Sequence, residues 1–211
     1  LFPSDEITYS FLKGQGREEN WVALEADEDA VYDDRFEIDL STLEPLAACP
    51  HSPGNIKSVE SLKGMKINQV LIGSCTNSSY YDLRKVAKIL EGKRIPENVS
   101  LGIAPGSRAV FEMIASDGTL ETLIKAGARI LESACGFCIG NHQSPGTDSV
   151  SLRTNNRNFE GRSGTKSAQV YLVSPETAAW SAVKGEFSNP LECESDIESV
   201  KYTDSFIVDD S

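Results

Sequence analysis

The chain has 211 residues, of which 39% are hydrophobic, enough to bury a sizeable core in one domain or one and a half. The formal net charge of −12 is uneven, because residues 1–60 carry −10, residues 61–190 carry +4 and residues 191–211 carry −6. No basic cluster and no apolar run of about 18 residues is present, so the composition excludes a duplex nucleic-acid binder and a membrane-spanning protein.

The cysteine content indicates a reducing compartment. Five cysteines are an odd number in a chain of this size, which argues against the disulfide framework of a secreted protein. The chain starts with Leu1 and shows no signal-peptide pattern. We therefore expect a soluble, cytoplasmic protein of which this chain is a fragment.

The amino-terminal residues 1–35 are acidic and are expected to lead in from a preceding domain, with little core of their own. One amphipathic turn is predicted around residues 7–12. Apolar and polar residues alternate in the stretch 38–46, which predicts a short strand before Pro45.

From residue 66 onward, short apolar runs alternate with segments of helical periodicity. Strands are predicted at 67–73, 101–104, 128–131, 149–154 and 170–173. Helices are predicted at 80–92, 107–115, 120–126 and 175–184, where capping residues flank apolar side chains at helical spacing. The alternation predicts an α/β fold, namely a three-layer α/β/α sandwich with a mostly parallel sheet.

Three loops that follow predicted strands carry the chemistry-bearing residues. They are "GSCTNSS" at 73–79, "SACGFCIGN" at 133–141 and "TNNRNFEGRSG" at 154–164. In parallel sheets, ligands bind at the carboxyl ends of the strands, so these loops are expected to meet.

The spacing of Cys135 and Cys138 lets both sulfurs reach one metal centre, with Cys75 on a neighbouring loop. The residues after Cys138 cannot form the helix that a thioredoxin-type pair needs, and no H-x-E partner of a zinc deaminase is present. Two metal sites stay open. One is a structural zinc held by the three cysteines and His142; the other is an iron–sulfur cluster with one iron lacking a protein ligand. Such an iron would be a Lewis acid.

The third loop supplies arginines and asparagines. Arg157 and Arg162 are natural clamps for a substrate with several carboxylates, because the guanidinium group binds carboxylates in bidentate fashion. Asn77, Asn156 and Asn158 are candidates for orienting ligands or donating hydrogen bonds to cluster sulfides. Cys49 and Cys193 lack partner spacing and are interpreted as ordinary thiols.

The motifs "IGSCTNSSYYDL", "SACGFCIG" and "NRNFEGR" together resemble the aconitase superfamily, in the same order and at similar separations. The resemblance covers roughly residues 36–190, which look like the iron–sulfur-binding third domain of that family. It implies that Cys75, Cys135 and Cys138 ligate a [4Fe–4S] cluster. It also implies that Asn156 sits beside the cluster and that Arg157 and Arg162 hold substrate carboxylates.

Within the family, "SCTNSS" resembles aconitase most, whereas "NRNFEGR" and "LVSPETAA" resemble isopropylmalate isomerase and homoaconitase as much. The preferred hypothesis is an aconitate hydratase of the tricarboxylic acid cycle, acting on a tricarboxylate; isopropylmalate isomerase and homoaconitase are the alternatives. A non-catalytic Cys3His zinc module is the alternative of another class.

The resemblance also implies partners. The family's serine base and His–Asp pairs lie in other domains of the enzyme, so this chain alone is expected to be inactive. The acidic segment 191–211 resembles the start of the linker to one of those domains.

Overall fold

The computed structural model describes residues 2–208, which form two compact units. The first comprises the described residues of Leu1–Leu43 and Tyr202–Ser211, and the second is Glu44–Lys201. The second unit therefore starts later than the expected domain limit at residue 36 and extends beyond residue 190. The three-part division of the chain stays a prediction.

The second unit is built on one sheet which, within residues 2–208, has seven strands in the order β2-β1-β7-β6-β3-β4-β5. The strands are β1 (Leu46–Ala48), β2 (Ile56–Ser58), β3 (Gln69–Gly73), β4 (Ser100–Ala104), β5 (Arg129–Ile130), β6 (Val150–Arg153) and β7 (Gln169–Leu172). Strands β3 to β7 pair in parallel, and β1 joins β2 and β7 antiparallel. The predicted α/β fold with a mostly parallel sheet is confirmed.

Within residues 2–208, five of the six helices begin directly after a residue whose side chain caps the first turn. The six are α1 (Glu6–Gly14), α2 (Val59–Leu62), α3 (Tyr80–Leu90), α4 (Arg108–Ser116), α5 (Thr119–Ala126) and α6 (Pro175–Lys184). Ser79 and Asp82 form a capping box at the start of α3, and Ser107 and Ser174 cap α4 and α6. The four helices predicted from residue 80 onward are confirmed.

The two faces of the sheet are covered differently. The crossovers β3–α3–β4 and β4–α4–α5–β5 step in the same direction along the sheet, so right-handed connections place their helices on one face. Helix α6 packs against α3 and β3 on that face. On the other face Phe137 forms a small buried cluster with Leu71, Ala104 and Leu131. The layer there is a loop with a 3-10 turn at Phe137–Ile139.

The region around Pro45 differs from the prediction. Leu40–Thr42 is a 3-10 turn, and the strand lies after the proline, at Leu46–Ala48. Proline has no N–H to donate to a neighbouring strand, whereas Ala47 and Ala48 are buried between β2 and β7. The alternating pattern before Pro45 was therefore misread, since its large apolar side chains are exposed.

The first unit has little core, since no side chain among residues 2–43 is buried. Helix α1, capped by Asp5, confirms the amphipathic turn predicted at 7–12. Tyr9 contacts Trp21 edge-on with ring centroids 5.7 Å apart, and Phe11 contacts Phe206 at 5.2 Å. Across residues 2–208, no helix has the length and apolar character needed to cross a bilayer.

Candidate functional site

Three loops meet where neighbouring parallel strands end. Strands β6, β3, β4 and β5 lie side by side, so their carboxyl ends form one edge of the sheet. The loop after β3 carries Cys75, the loop after β5 (residues 133–145, the cysteine loop) carries Cys135 and Cys138, and the loop after β6 (residues 154–162, the arginine loop) carries Arg157 and Arg162. This is the edge at which open parallel sheets bind ligands.

The backbone before Cys75 is bent tightly. Gly73 has a φ of 132°, and a Cβ at this position would lie 2.1 Å from the Ala104 carbonyl oxygen, so only glycine fits. Ser74 is buried with a φ of 68°, a left-handed conformation of the kind that clusters at functional sites. The Ser78 hydroxyl donates to the Ser74 carbonyl and holds the turn. As a result the Cys75 thiol is exposed at the edge of the sheet.

The loop after β3 is bonded directly to the arginine loop. The Asn77 side chain donates to the Thr154 carbonyl at 2.6 Å, and the Gly73 amide donates to the Thr154 hydroxyl at 2.9 Å. These bonds hold the segment with Cys75 next to the end of β6. The side-chain nitrogen of Asn77 is therefore hydrogen-bonded within the fold. The sequence had suggested instead that Asn77 orients a ligand.

Phe137 anchors the cysteine loop between its two cysteines. Its side chain is only 1% exposed and packs in the cluster on the loop-covered face of the sheet. This burial leaves Cys135 exposed and Cys138 buried. A Cβ at Gly136 would meet the His142 ring at 2.3 Å, so a larger residue there would displace the exposed His142 side chain.

Arg153 lies beneath the cysteine loop, fully buried at the end of β6. Its guanidinium donates to the Phe137 carbonyl at 2.5 Å, to the Ser151 hydroxyl at 3.1 Å and to the Gln69 side chain at 3.2 Å. Burial lowers the pKa of Arg153 to about 10, with Cys138 acting in the opposite direction. The group therefore stays protonated at neutral pH.

Asn155 connects the arginine loop to the cysteine loop. Its side-chain amide donates to the Cys138 sulfur at 3.2 Å, and both residues are buried. Hydrogen bonds to the sulfurs are one means by which proteins tune iron–sulfur clusters. Sequence reasoning selected Asn156 and passed over Asn155 and Arg153. The position of Asn155 in the loop that follows the buried strand β6 is a signal that could have found it, whereas Arg153 is the last residue of that strand and gives no such signal.

The arginine loop presents its predicted residues in different settings. Asn156 and Arg157 are exposed, whereas Arg162 is half-buried and its Nε, shielded from solvent, has no hydrogen-bond partner. Asn158 is buried and donates to the carbonyls of Ala48, Cys49 and Val170, so its nitrogen is committed to the fold. The loop thus offers two arginines and Asn156 to a ligand.

The remaining cysteines lie outside the three loops. Cys49 is buried at the end of β1, and burial raises the pKa of its thiol. Cys193 is half-buried against the core. All five cysteines are free thiols. His142, the fourth ligand of the alternative zinc site, is exposed with a φ of 66°.

The donor chemistry of this edge fits an iron–sulfur cluster. Three thiols lie on the strand-end loops, and one of them, that of Cys138, accepts a hydrogen bond from the Asn155 amide. The buried guanidinium of Arg153 lies beneath the loop that carries Cys138. In the described residues, no three side chains of His, Cys, Asp or Glu converge on the position of a single metal ion. A cluster in which each thiolate binds its own iron does not need such convergence.

The comparisons with known proteins identify the family. The model of the aconitase family (aconitate hydratase) matches residues 1–185, and the chain belongs to this family. The chain is 41% identical over 91% of its length to 3-isopropylmalate dehydratase large subunit 2 of Archaeoglobus fulgidus. It is 44% identical over 91% to the 3-isopropylmalate dehydratase large subunit of Elusimicrobium minutum. It is 43% identical over 90% to large subunit 1 of the same enzyme from Thermotoga maritima.

These relatives bear on the choice of branch. Each match covers 46% of the relative, so the chain spans about half the length of the curated relatives it matches. Their names support the isopropylmalate isomerase alternative better than the preferred aconitate hydratase. Membership of a hydro-lyase superfamily is established, whereas the tricarboxylate substrate expected from the sequence is not shown.

Proposed function

We propose that this chain is the cluster-binding part of a 3-isopropylmalate dehydratase large subunit. The observation that carries the proposal is the identity of 41–44% to three proteins of that name over nine tenths of the chain. The strand-end edge with its three cysteines and two arginines supports it, because a Lewis acid and carboxylate clamps assist the elimination of water from a hydroxy acid.

Cys75, Cys135 and Cys138 hold a [4Fe–4S] cluster in this proposal. The exposure of Cys75 and Cys135 and the amide bonded to the Cys138 sulfur support the assignment. When bound, the cluster supplies a Lewis acid that withdraws electron density from the substrate hydroxyl oxygen. With three thiolates, one iron of the cluster would have no protein ligand and would be open to substrate, as catalytic zinc keeps an open position.

Arg157 and Arg162 bind the substrate carboxylates. The substrate 3-isopropylmalate has two carboxylates, one hydroxyl and a branched alkyl group, and each carboxylate matches the planar fork of a guanidinium. The unpartnered Nε of Arg162 supports this role, since a buried N–H without an acceptor is unfavourable until a ligand supplies one. Asn156, exposed beside Arg157, orients the hydroxyl.

The reaction removes the elements of water across one carbon–carbon bond. A base takes the proton from the carbon next to the hydroxyl-bearing carbon, the C–H electron pair becomes the second bond of the alkene, and the hydroxyl leaves with a proton as water. By fixing both carboxylates, the two arginines keep these bonds aligned during elimination and re-addition.

A second polypeptide completes the active site. The relatives are named large subunits, which supports a partner that contributes the base and the remaining walls. The rest of the large subunit is a further partner, because the chain corresponds to only 46% of those relatives. A cytoplasmic location, where free thiols persist, belongs to the same proposal.

The test is anaerobic reconstitution of the complete enzyme followed by metal analysis and assays with 3-isopropylmalate and with citrate. We expect a brown protein with about four irons per site and turnover of 3-isopropylmalate well above that of citrate. If citrate were turned over faster than 3-isopropylmalate, the enzyme would instead be an aconitate hydratase. One tightly bound zinc, lost on His142→Ala, would replace it by the Cys3His module.

A further inference from the structure

A buried arginine without a carboxylate partner lies behind the cysteine loop. Arg153 is 0% exposed, and its four hydrogen bonds go to uncharged acceptors, namely Ser151 Oγ, Gln69 Oε1 and the carbonyls of Phe137 and Gln143. Among the described residues, no carboxylate lies within ion-pair distance of it. Burying a charge in this way is unfavourable unless an opposite charge is near.

The cysteine loop contacts Arg153 directly, through the hydrogen bond to the Phe137 carbonyl. The ionisable group that acts electrostatically on Arg153 is Cys138. Helices are packed on the other face of the sheet, so the side of β6 that carries Arg153 faces the loop rather than the helix layer. The positive charge is therefore directed toward the place where three thiolates would gather.

The hydrogen bonds of Arg153 also fix the loop in place. Two of the acceptors, the carbonyls of Phe137 and Gln143, lie on either side of Cys138 in the chain. The other two, Gln69 and Ser151, belong to β3 and β6 and are bonded to each other at 2.8 Å. The guanidinium thus joins the loop around Cys138 to the two central strands.

We propose that Arg153 is a positioning residue that holds the cysteine loop around Cys138 and supplies the buried positive charge that stabilises an anionic cluster there. The inference rests on the cluster of the proposed function and adds a residue that touches neither substrate nor iron. Lysine at this position would keep the charge, but its single ammonium group cannot reach four acceptors arranged around a planar fork.

The two roles predict different measurements. Loss of the positive charge makes a nearby cluster harder to reduce, so its reduction potential becomes more negative. Loss of the planar guanidinium removes the hydrogen bonds that hold the cysteine loop. The backbone amide hydrogens of residues 133–145 should then exchange faster with solvent in the metal-free protein. Removal of residues that orient metal ligands typically weakens metal binding about 10–100-fold.

The experiment compares Arg153→Gln and Arg153→Lys with a matched control, Arg129→Gln, in the full chain. Arg129 lies on β5 just before the cysteine loop and is exposed, so its loss removes one cation without touching the network. The readouts are the cluster reduction potential, hydrogen exchange of the metal-free loop and the rate of iron loss to a chelator.

We expect a more negative potential only in Arg153→Gln, faster loop exchange in both Arg153 variants, and iron loss faster by about 10-fold or more in both. A wild-type potential in Arg153→Gln would overturn the charge role, as would an equal shift in Arg153→Lys. Unchanged loop exchange in Arg153→Lys would overturn the anchoring role. If the glutamine variant does not fold, a potential in Arg153→Lys that differs from the wild type still overturns the charge role.

Failure of this inference is distinguishable from failure of the proposed function. If the wild-type protein takes up no iron–sulfur cluster, the proposed function falls. If the wild type takes up the cluster and the Arg153 variants match it in potential, loop exchange and iron retention, only the inference falls.

Discussion

In the helix layer, polar side chains are bonded to one another, whereas in the strand-end loops many are not. Lys85 of α3 donates to Glu176 of α6 at 2.7 Å, and Tyr80 donates to Asp117 at 2.8 Å. By contrast, five of the seven buried side-chain nitrogen and oxygen atoms without a partner in residues 2–208 lie in the three loops. They belong to Ser74, Gln143, Asn155, Asn158 and Arg162.

This difference separates polar residues that serve the fold from those that serve a ligand. A buried polar atom without a partner costs free energy, so a concentration of such atoms needs an explanation beyond stability. In the loops, they surround the cysteines and arginines that the sequence motifs single out. Substitutions in the helix layer should therefore change stability, whereas substitutions of loop residues whose donors are not bonded within the fold should change ligand binding.

The largest effect is expected at Cys138. Replacing it with serine removes a soft thiolate ligand, so the reconstituted enzyme should lose its cluster and its dehydratase activity. The matched control is Cys49→Ser, since Cys49 is also buried but lies outside the loops. Iron content and turnover measure the result. Equal iron content in the two variants would show that Cys138 is not a ligand.

A smaller loss is expected at Arg162. Arg162→Lys keeps the charge but replaces the planar fork with a point charge, so the paired contact to a carboxylate is lost. We expect kcat/KM for 3-isopropylmalate to fall about 10²–10³-fold, the range seen when one transition-state donor is removed. The thermal midpoint should stay within a few degrees of the wild type. Wild-type kinetics in this variant would contradict the carboxylate role.

The sequence predicts the regular elements of the sheet and its helices well, because their signals are local. The apolar run ending at Gly73 and the cap at Ser79 depend only on neighbouring residues, and the structure has β3 and α3 at those places. The strand around Pro45 was misplaced, because burial of Ala47 and Ala48 depends on pairing with β7, more than 120 residues away.

The same reasoning explains what was missed in the candidate site. Arg153 alternates with the apolar Leu152, which is typical of a strand residue that faces solvent. It is buried because the cysteine loop, which lies before β6 in the chain, folds over it. Asn155 and Asn158 have the same side chain, yet one donates to Cys138 and the other to backbone carbonyls. Composition and spacing carry no information about such partners.

Two asparagines in the arginine loop test, within one segment, the difference between polar residues that stabilise the fold and those that contact a ligand. Asn158→Ala removes three buried hydrogen bonds and should destabilise the protein by about 1–3 kcal/mol. For a chain of this size, each kcal/mol lowers the thermal midpoint by about 2–4 °C. Asn156→Ala, at an exposed position, should stay within about 0.5 kcal/mol of the wild type but lower turnover.

Thermal unfolding and steady-state assays of the two variants, side by side, provide the measurement. The comparison predicts opposite outcomes, with a stability loss at Asn158 and an activity loss at Asn156. A large stability loss at Asn156 would mean that this exposed side chain has a structural partner after all.

The smallest effect is expected in the helix layer, at the ion pair of Lys85 with Glu176. Burial raises the pKa of Glu176. The hydrogen bond and the charge of Lys85, together with hydrogen bonds from the backbone and from Ser174, outweigh burial and leave that pKa below its ordinary value of 4.5. A lowered carboxyl pKa means that the stabilisation is complete above pH 4.5 and is lost as the pH falls through the lower, folded-state value. Since both side chains are about one quarter exposed, the pair should contribute no more than about 1 kcal/mol.

Denaturant unfolding of Glu176→Gln and the wild type between neutral and acidic pH measures this contribution. The difference between them should shrink as the pH falls below 4.5, because the wild-type carboxyl is then being protonated as well. The matched control is Glu121→Gln, which removes a fully exposed pair with Lys125 on α5 and should have no measurable effect. Dehydratase activity should be unchanged in both variants at neutral pH. If Glu176→Gln lowered activity without lowering stability, the helix layer would be coupled to the strand-end loops, and the separation between the two regions would fail.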